Sequence, residues 1–558
     1  MRIIYILIII VCFFTSCSES FLDEEPIDFI SAENAFRTYD DFQLSINGLY
    51  EKVRTEFFTR NGDHPFTYLY GTDLVYDGQP FTTRFSPYTS TMQPSGGYRI
   101  PEKHWVDLYK IVSESNLILS RLEQVEFADE QETKLEAQAR FFRAFAYRTL
   151  TYLYGGVPLI LEEVKEAKLD YVRASKREVL EQCILDATFA GENLPNISSV
   201  RDGEISDLVA YHLLSELYIV NDQPEQAIAA ATIVINDPNT ALMTERFGSR
   251  ANETPGDPFW DLYRMNNQNR ASGNKESLWV IQFETDVPGG ATVSNDKAGG
   301  FYLERHHAPF VRNVRVGGSD VPPFLWPRTN LTTGGRGVGW AISTKYFTNT
   351  IWENDFDGDQ RNANHNFVRD FTIDNPDHPL FGTTISTENP PEGITVPSRD
   401  FYAYQSKITT PGNHPENLFD DFALGILTSR AGASYADQYL FRLAETYLLR
   451  AEAYMNSGRL DLAARDLNTV RERSQATPVT PGEIDIDYIL DERMREMGVE
   501  EKRRLTLMRL GLLYDRVKEC NPYYENIQEF HNLFPIPFNE IERNTEATIE
   551  QNPGYENL

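Results

Sequence analysis

Cysteine is almost missing from this chain: four in 558 residues, at Cys12, Cys17, Cys183 and Cys520. So few thiols exclude the disulfide framework that staples small secreted domains, and buried apolar side chains must hold the fold. Cys183, inside "KREVLEQCILDATFA", has the setting of a small buried hydrophobe in a helix. Positive charge is also short, with 52 Lys and Arg against 83 Asp and Glu and a net charge of −31. Such a surface repels nucleic acid and anionic lipid headgroups, so no nucleic-acid partner is expected. Beyond the first residues no stretch approaches the roughly 20 apolar residues of a membrane-spanning helix. Catalytic signatures are lacking too: there is no G-x-S-x-G, H-E-x-x-H or G-x-x-x-x-G-K-[ST], and the protein is expected not to be an enzyme. "GGRGVGW" falls short of a dinucleotide fingerprint because Trp340 takes the last glycine position without a strand–turn–helix frame. Acidic residues are numerous enough that counting alone leaves a glycosidase pair open, but nothing singles one out.

One apolar run does stand out, in "MRIIYILIIIVCFFTSCSESFLDEEP". It follows Arg2, is too short to span a bilayer, and ends on small Thr15 and Ser16 directly before Cys17. The pattern predicts a lipoprotein signal peptide over 1–16, its removal, and acylation of Cys17, with palmitate among the acyl groups. Cys12, which precedes bulky Phe13, fits that junction poorly. Several acyl chains would hold a soluble body at a membrane without a spanning helix.

What fills the body is helical periodicity. Leu135, Ala139, Phe142, Ala146, Leu150 and Leu153 recur at helical spacing before Gly155, Gly156 and Pro158 stop the helix. Ser206 can cap a helix carrying Ala210, Leu213, Leu214, Leu217 and Tyr218; Asn221 and Asp222 then turn the chain, and Pro224 opens a second helix. The plan returns with Ala444, Leu448, Ala451 and Tyr454, a turn at Gly458, and Leu462, Ala463 and Leu467. These are tetratricopeptide-type helical hairpins. The expected fold is mainly α: such a scaffold with long loop-rich insertions and a few short strands such as "SLWVIQFE". One insertion falls near 60–104 within a helical region over 17–240, a larger one over 241–430, and a second helical region covers 431–558; residues 17–558 are expected to form one unit. Loops of this kind are where binding groups usually lie.

Three sets of loop residues are candidates. Aromatics beside turn residues and polar partners are candidate ligand contacts: Tyr76, Phe81 with Arg84, Tyr88, Tyr98, Trp326 with Arg328, and Trp340. The net charge disfavours an anionic ligand, though a local patch of Arg305, Arg312 and Arg315 could override it. In "WENDFDGDQRNANHNF", Asp355, Asp357 and Asp359 alternate beside Gly358 as oxygen ligands of Ca2+ would, although Asn364 stands where a bidentate glutamate is wanted. No other cofactor is suggested. The pair His306–His307 reads as exposed loop residues, with metal contact as the alternative. Glu492, Arg493, Glu496, Glu500 and Arg503 fall at ion-pairing spacings and read, with Arg143, as scaffold.

Several blocks carry a family resemblance: "FLDEEP" after Cys17, "WVDLYKIVSESNLIL", "ARFFRAFAYRTLTYLYGGVPL", "RLAETYLLRAEAYMNSG", "DERMREMGVEEKRRLTLMRLG" and the closing "LFPIPFNEIERNTEATIEQNPGY". The chain resembles the SusD/RagB family of surface lipoproteins of Bacteroidetes. Glu501 stands where that family often has glycine, and Thr506 where aspartate is frequent. The resemblance implies a non-catalytic lipoprotein, anchored in the outer membrane and facing the exterior, that captures a glycan for a SusC-like TonB-dependent transporter. Peptide capture, as in RagB-like relatives, is the alternative it leaves open, with a surface hydrolase behind it.

Overall fold

A computed structural model describes residues 35–58, 64–79, 86–95, 99–285, 287, 301–409 and 411–555. Cys17 and the signal segment lie outside the described residues, as do Phe81, Arg84 and Tyr98. Helix dominates, 46% against 8% strand, as the periodicity predicts. α1 (Tyr39–Phe58), α2 (Ile100–Leu122), α3 (Asp129–Tyr154), α4 (Lys176–Asn193), α5 (Asp207–Val220) and α6 (Pro224–Asn236) follow one another, each packed on its predecessor. The large insertion carries only short elements, among them the one-turn helix α7 (Leu303–His307). After it, α8 (Leu443–Asn456) packs on both α6 and its hairpin partner α9 (Leu460–Arg473). Two hairpins far apart in sequence are thus neighbours in space.

Local chemistry explains these elements. Ser175 and Glu178 form a reciprocal capping box that starts α4, and Pro224 begins α6 where its missing N–H costs nothing. Ser206 does stand at the N-cap of α5, but its hydroxyl makes no capping bond. Ala139, Ala144 and Ala146 of α3 are wholly buried and let neighbouring helices approach closely. Around them Tyr50, Phe141, Phe142, Phe145 and Phe441 converge edge-on upon Trp279, an arrangement worth about 0.5–1.5 kcal/mol per pair beyond the area buried.

Among the described residues the strands form two-stranded antiparallel pairs only. β1 (Val75–Asp77) pairs with β3 (Ala341–Ser343), joining the first loop region to the large insertion. β2 (Ser277–Ile281), the predicted "SLWVI" run, pairs with β4 (Gln438–Arg442), Tyr439 opposite Val280, and so holds part of the insertion's two flanks side by side.

Buried charge ties the C-terminal helices α10 (Ile486–Glu496), α11 (Arg503–Arg509) and α12 (Leu513–Cys520) to the rest. Glu492 accepts from Arg361, Arg471 and Arg495. Burial alone would raise its pKa, but the three guanidiniums outweigh that and hold it down to about 2. Glu496 pairs with Arg361, Arg442 and Arg473, and Arg503 with Asp73 and Glu501. The scaffold reading of this cluster agrees with that geometry, as does Arg143, bonded to Asp186 at 2.8 Å and Asn116 at 2.9 Å. Cys183 and Cys520 are buried free thiols. No helix among the described residues is long and apolar enough to cross a membrane.

Candidate ligand face

The "GRGVGW" segment is the spine of a face that gathers two of the candidate aromatics, Trp326 and Trp340. Its backbone runs against α7: the N–H groups of Val338, Gly339 and Trp340 donate to the carbonyls of Arg305, Ala308 and His306 at 2.8–2.9 Å. Such close approach dictates the glycines. A Cβ on Gly337 would lie 2.4 Å from the Ala308 carbonyl oxygen, and one on Gly339, where φ is +61°, would lie 2.0 Å from that of Arg399. On the other side Gly78 N–H donates to the Trp340 carbonyl at 2.7 Å, continuing the β1–β3 ladder. Alternation along that ladder places Trp340 on the same face as Ile342 and its cross-strand partner Tyr76.

Rings and guanidiniums line this spine. Trp326 donates from Nε1 to the Gly337 carbonyl at 3.0 Å and meets Phe310 edge-on at 4.9 Å. The guanidiniums of Arg312 and Arg336 both lie 5.6 Å from the Trp326 ring, Arg399 lies 4.9 Å from that of Phe310, and Arg305 lies 5.2 Å from that of Trp340. Both tryptophans are half-buried. The Nε1 of Trp340 and the Nε of Arg305 are buried without a hydrogen-bond partner among the described residues. Arg399 donates to the Val338 carbonyl at 2.7 Å, and partial burial lowers its pKa. Asp77, at the end of β1, is pushed up to about 6 by burial and has one carboxylate oxygen unbonded. Trp326, Trp340, Arg305 and Arg312, all singled out in the sequence, are therefore brought together. Phe310 and Arg399 were missed, because only contacts made in three dimensions bring them to the spine, and Arg336, within the spine, was missed because its place on the Trp326 ring is likewise a three-dimensional contact.

The other candidates are placed differently. Tyr76 is buried, its ring stacked 3.6 Å from that of Tyr523, which is half exposed and offers its own ring to solvent. Tyr88 is also buried: its hydroxyl donates to the Gly71 carbonyl and accepts from Arg504, so it serves packing in a one-turn helix rather than a free loop. Arg328 is held by Asp374 and by the Leu424 carbonyl. His306 and His307 are fully buried in α7 and not exposed in a loop. His306 stacks 3.8 Å from Phe66, and His307 donates from Nδ1 to the Ala341 carbonyl while Gln405 N–H donates to its Nε2. Burial lowers His306 to about 3 and His307 to about 4, so both are neutral and serve as hydrogen-bonding core residues.

Of the candidate calcium ligands, Asp359 is buried and clasped by Arg361 at 2.6 Å. Asp355 accepts from Thr477 N–H at 2.5 Å, and Asp357 is exposed. Among the described residues the group whose ligand atoms converge is instead Glu56, His64 and Asp107. His64 Nε2 lies 3.6 Å from Glu56 and 3.5 Å from Asp107, close to the roughly 3.4 Å between neighbouring ligands of a tetrahedral site with bonds of about 2.1 Å. Burial raises the pKa of Glu56 and lowers that of His64, each toward its neutral form. A separate groove of about 510 Å3 runs between α2 and residues 158–171, with Trp105, Tyr109 and Ile160 in its wall. There the Tyr109 hydroxyl is bonded to the Pro158 carbonyl, and Lys168, Glu540 and Arg543 also line the groove.

Comparison with known proteins matches this architecture. Residues 426–555 match the SusD family, and residues 84–219 match a family described as starch-binding associating with outer membrane. The chain is 23% identical to SusD-like protein P25 of Formosa agariphila, across 97% of this chain and 96% of that one. Over 126 residues, 21% of each chain, it is 34% identical to the starch-binding protein SusD of Bacteroides thetaiotaomicron. Among solved structures, a laminarin-binding SusD-like protein superposes with a TM-score of 0.65 at 20% identity, covering 93% of this chain and 100% of its own. A SusD-like protein from Bacteroides fragilis gives 0.67 at 18%, covering 95% and 100%. The two matched segments and the end-to-end similarity to SusD-like proteins support a SusD/RagB family protein.

Proposed function

We propose that this protein is a non-catalytic, lipid-anchored glycan-capture protein of the outer cell surface, which delivers oligo- or polysaccharide to a TonB-dependent transporter. The observation that carries the reading is the face around residues 336–340: two half-buried tryptophans, with guanidiniums on them, presented by loops on a rigid helical scaffold. Rings take the C–H faces of sugars and fixed donors take hydroxyls, and neither role needs a nucleophile or a general acid. The laminarin-binding and starch-binding names of two similar proteins support a glycan as the ligand class. Capture beside a transporter raises the ligand's local concentration at the pore, which gives a tethered binder its use.

Binding is tested with the soluble body from Ser18 onward, by calorimetry against a panel of polysaccharides and of peptides. One glycan class is expected to bind without release of product. Trp326→Ala and Trp340→Ala should each weaken it by about 2 kcal/mol, the loss typical of an aromatic anchor. Peptide binding with no glycan binding would replace this reading, and product release would make the protein a hydrolase.

A further inference from the structure

The arginines of the ligand face differ from those of the scaffold. Arg361, Arg442, Arg473, Arg493, Arg503, Arg509 and Arg516 are all buried against carboxylates. Arg305, Arg312, Arg315 and Arg399 form no ion pair among the described residues; Arg312 and Arg315 are exposed, Arg305 and Arg399 half-buried. In a chain with 83 acidic residues, four arginines in this part of the fold that close no ion pair are conspicuous. Glu304 is buried against His414 and the Arg336 N–H, while Asp400 accepts from Asn313 and acts on its neighbour Arg399 by charge without closing an ion pair.

We propose that the ligand taken at this face is an acidic glycan, whose carboxylate or sulfate groups are read by Arg305, Arg312 and Arg399. The proposal rests on the glycan-binding reading above and narrows it.

Geometry supports the guanidiniums as readers and not as mere props for the rings. Arg312, like Arg336, lies on the Trp326 ring, which holds its guanidinium beside the surface on which a sugar would stack. A planar guanidinium held on a ring keeps its N–H edge open for a bidentate contact to a carboxylate or sulfate. The Val338 carbonyl takes one donor of Arg399 and leaves the rest of its fork available. Net charge does not decide against this. At physiological salt the Debye length is about 8 Å, so acids across the molecule are screened while contacts at the face are not.

Calorimetry on the soluble body tests the idea with matched pairs: polygalacturonate against its carboxyl-reduced form, and dextran sulfate against dextran, with laminarin as a further neutral polymer. A charged member should bind at least about tenfold more tightly than its neutral partner, and raising NaCl from about 50 to about 300 mM should erode that preference. The two pairs tell a carboxylate reader from a sulfate reader. Arg312→Gln and Arg305→Gln should abolish most of the preference at unchanged melting temperature. Arg312→Lys, which keeps the charge but not the fork, should restore only part of it. Neutral polymers bound as tightly as charged ones, or arginine variants with an intact preference, overturn the acidic ligand and leave glycan capture standing. If no polysaccharide of either kind binds, both readings fall.

Discussion

Glu501 accepts from Arg493 at 2.6 Å and from the Thr506 hydroxyl at 2.7 Å, and it pairs with Arg503 at 3.1 Å. These are the two positions at which the sequence departs from the family's habit of glycine and aspartate, and the structure puts them in contact. A carboxylate from residue 501 thus reaches the place that an aspartate at 506 would serve, since the Thr506 hydroxyl lies 3.5 Å from Arg493. Arg493 retains Glu445, and Arg503 retains Asp73, when Glu501 is removed. Glu501→Gly is therefore expected to cost about 3 kcal/mol, the lower end for breaking a buried pair. Thr506→Asp alone should also destabilise, by setting a second carboxylate against the first. Combining Glu501→Gly with Thr506→Asp should recover at least half of the loss. Denaturant unfolding of the four proteins measures the coupling, and simple additivity of the two single changes would show that the positions do not compensate.

The spine at 336–340 sets what the ligand face needs at the scale of elements. Its glycines accept α7 on one side and Arg399 on the other, so Gly339→Ala should push the segment off its neighbours while leaving the helical hairpins intact. Ligand affinity is expected to fall by about tenfold or more, because misplaced anchors lose their contacts, with the helical circular dichroism unchanged. A Gly339→Ala protein that binds as the parent does would remove the spine from the site. That spine was not legible in the sequence, whereas the hairpins were. Helical spacing such as Ala444–Leu448–Ala451 is a local signal, written within a few turns. Gly337 and Gly339 are required by the backbone at Ala308 and Arg399, distant in the chain. Likewise Tyr76 and Tyr88 looked like loop aromatics because Tyr523 and Arg504, which cover them, come from the far end of the sequence. Trp326 and Trp340 could be picked out by their turn-rich flanks and Arg305 and Arg312 as a basic patch, but the pairing of these rings with these arginines, and the part of Arg336 and Arg399, could not.

For the whole molecule the question is how an acidic body stays where a surface captor must work. With a net charge of −31 and no described helix able to span a bilayer, neither electrostatic attraction to anionic lipid nor a helical membrane anchor in the body would hold it there. Each buried acyl CH2 contributes about 0.8 kcal/mol, and one short chain gives only reversible binding, so stable attachment needs more than one chain. Cys17, directly after Thr15 and Ser16, is the thiol the sequence offers for that modification. Cys17→Ala should thus abolish acylation and move the protein from the membrane fraction to the soluble one, with folding unaffected because the hairpins lie far along the chain. The parent protein, extracted in mild detergent, should bring down a large β-barrel transporter, and the Cys17→Ala protein should still dock on that transporter when the two are mixed, because the lipid restricts the captor to the membrane without forming the contact. Fractionation is best done in cells lacking the transporter, so that docking cannot stand in for the lipid. Retention of the Cys17→Ala protein on membranes in those cells would refute the anchor, and solitary recovery of the parent under several gentle conditions would refute the partnership.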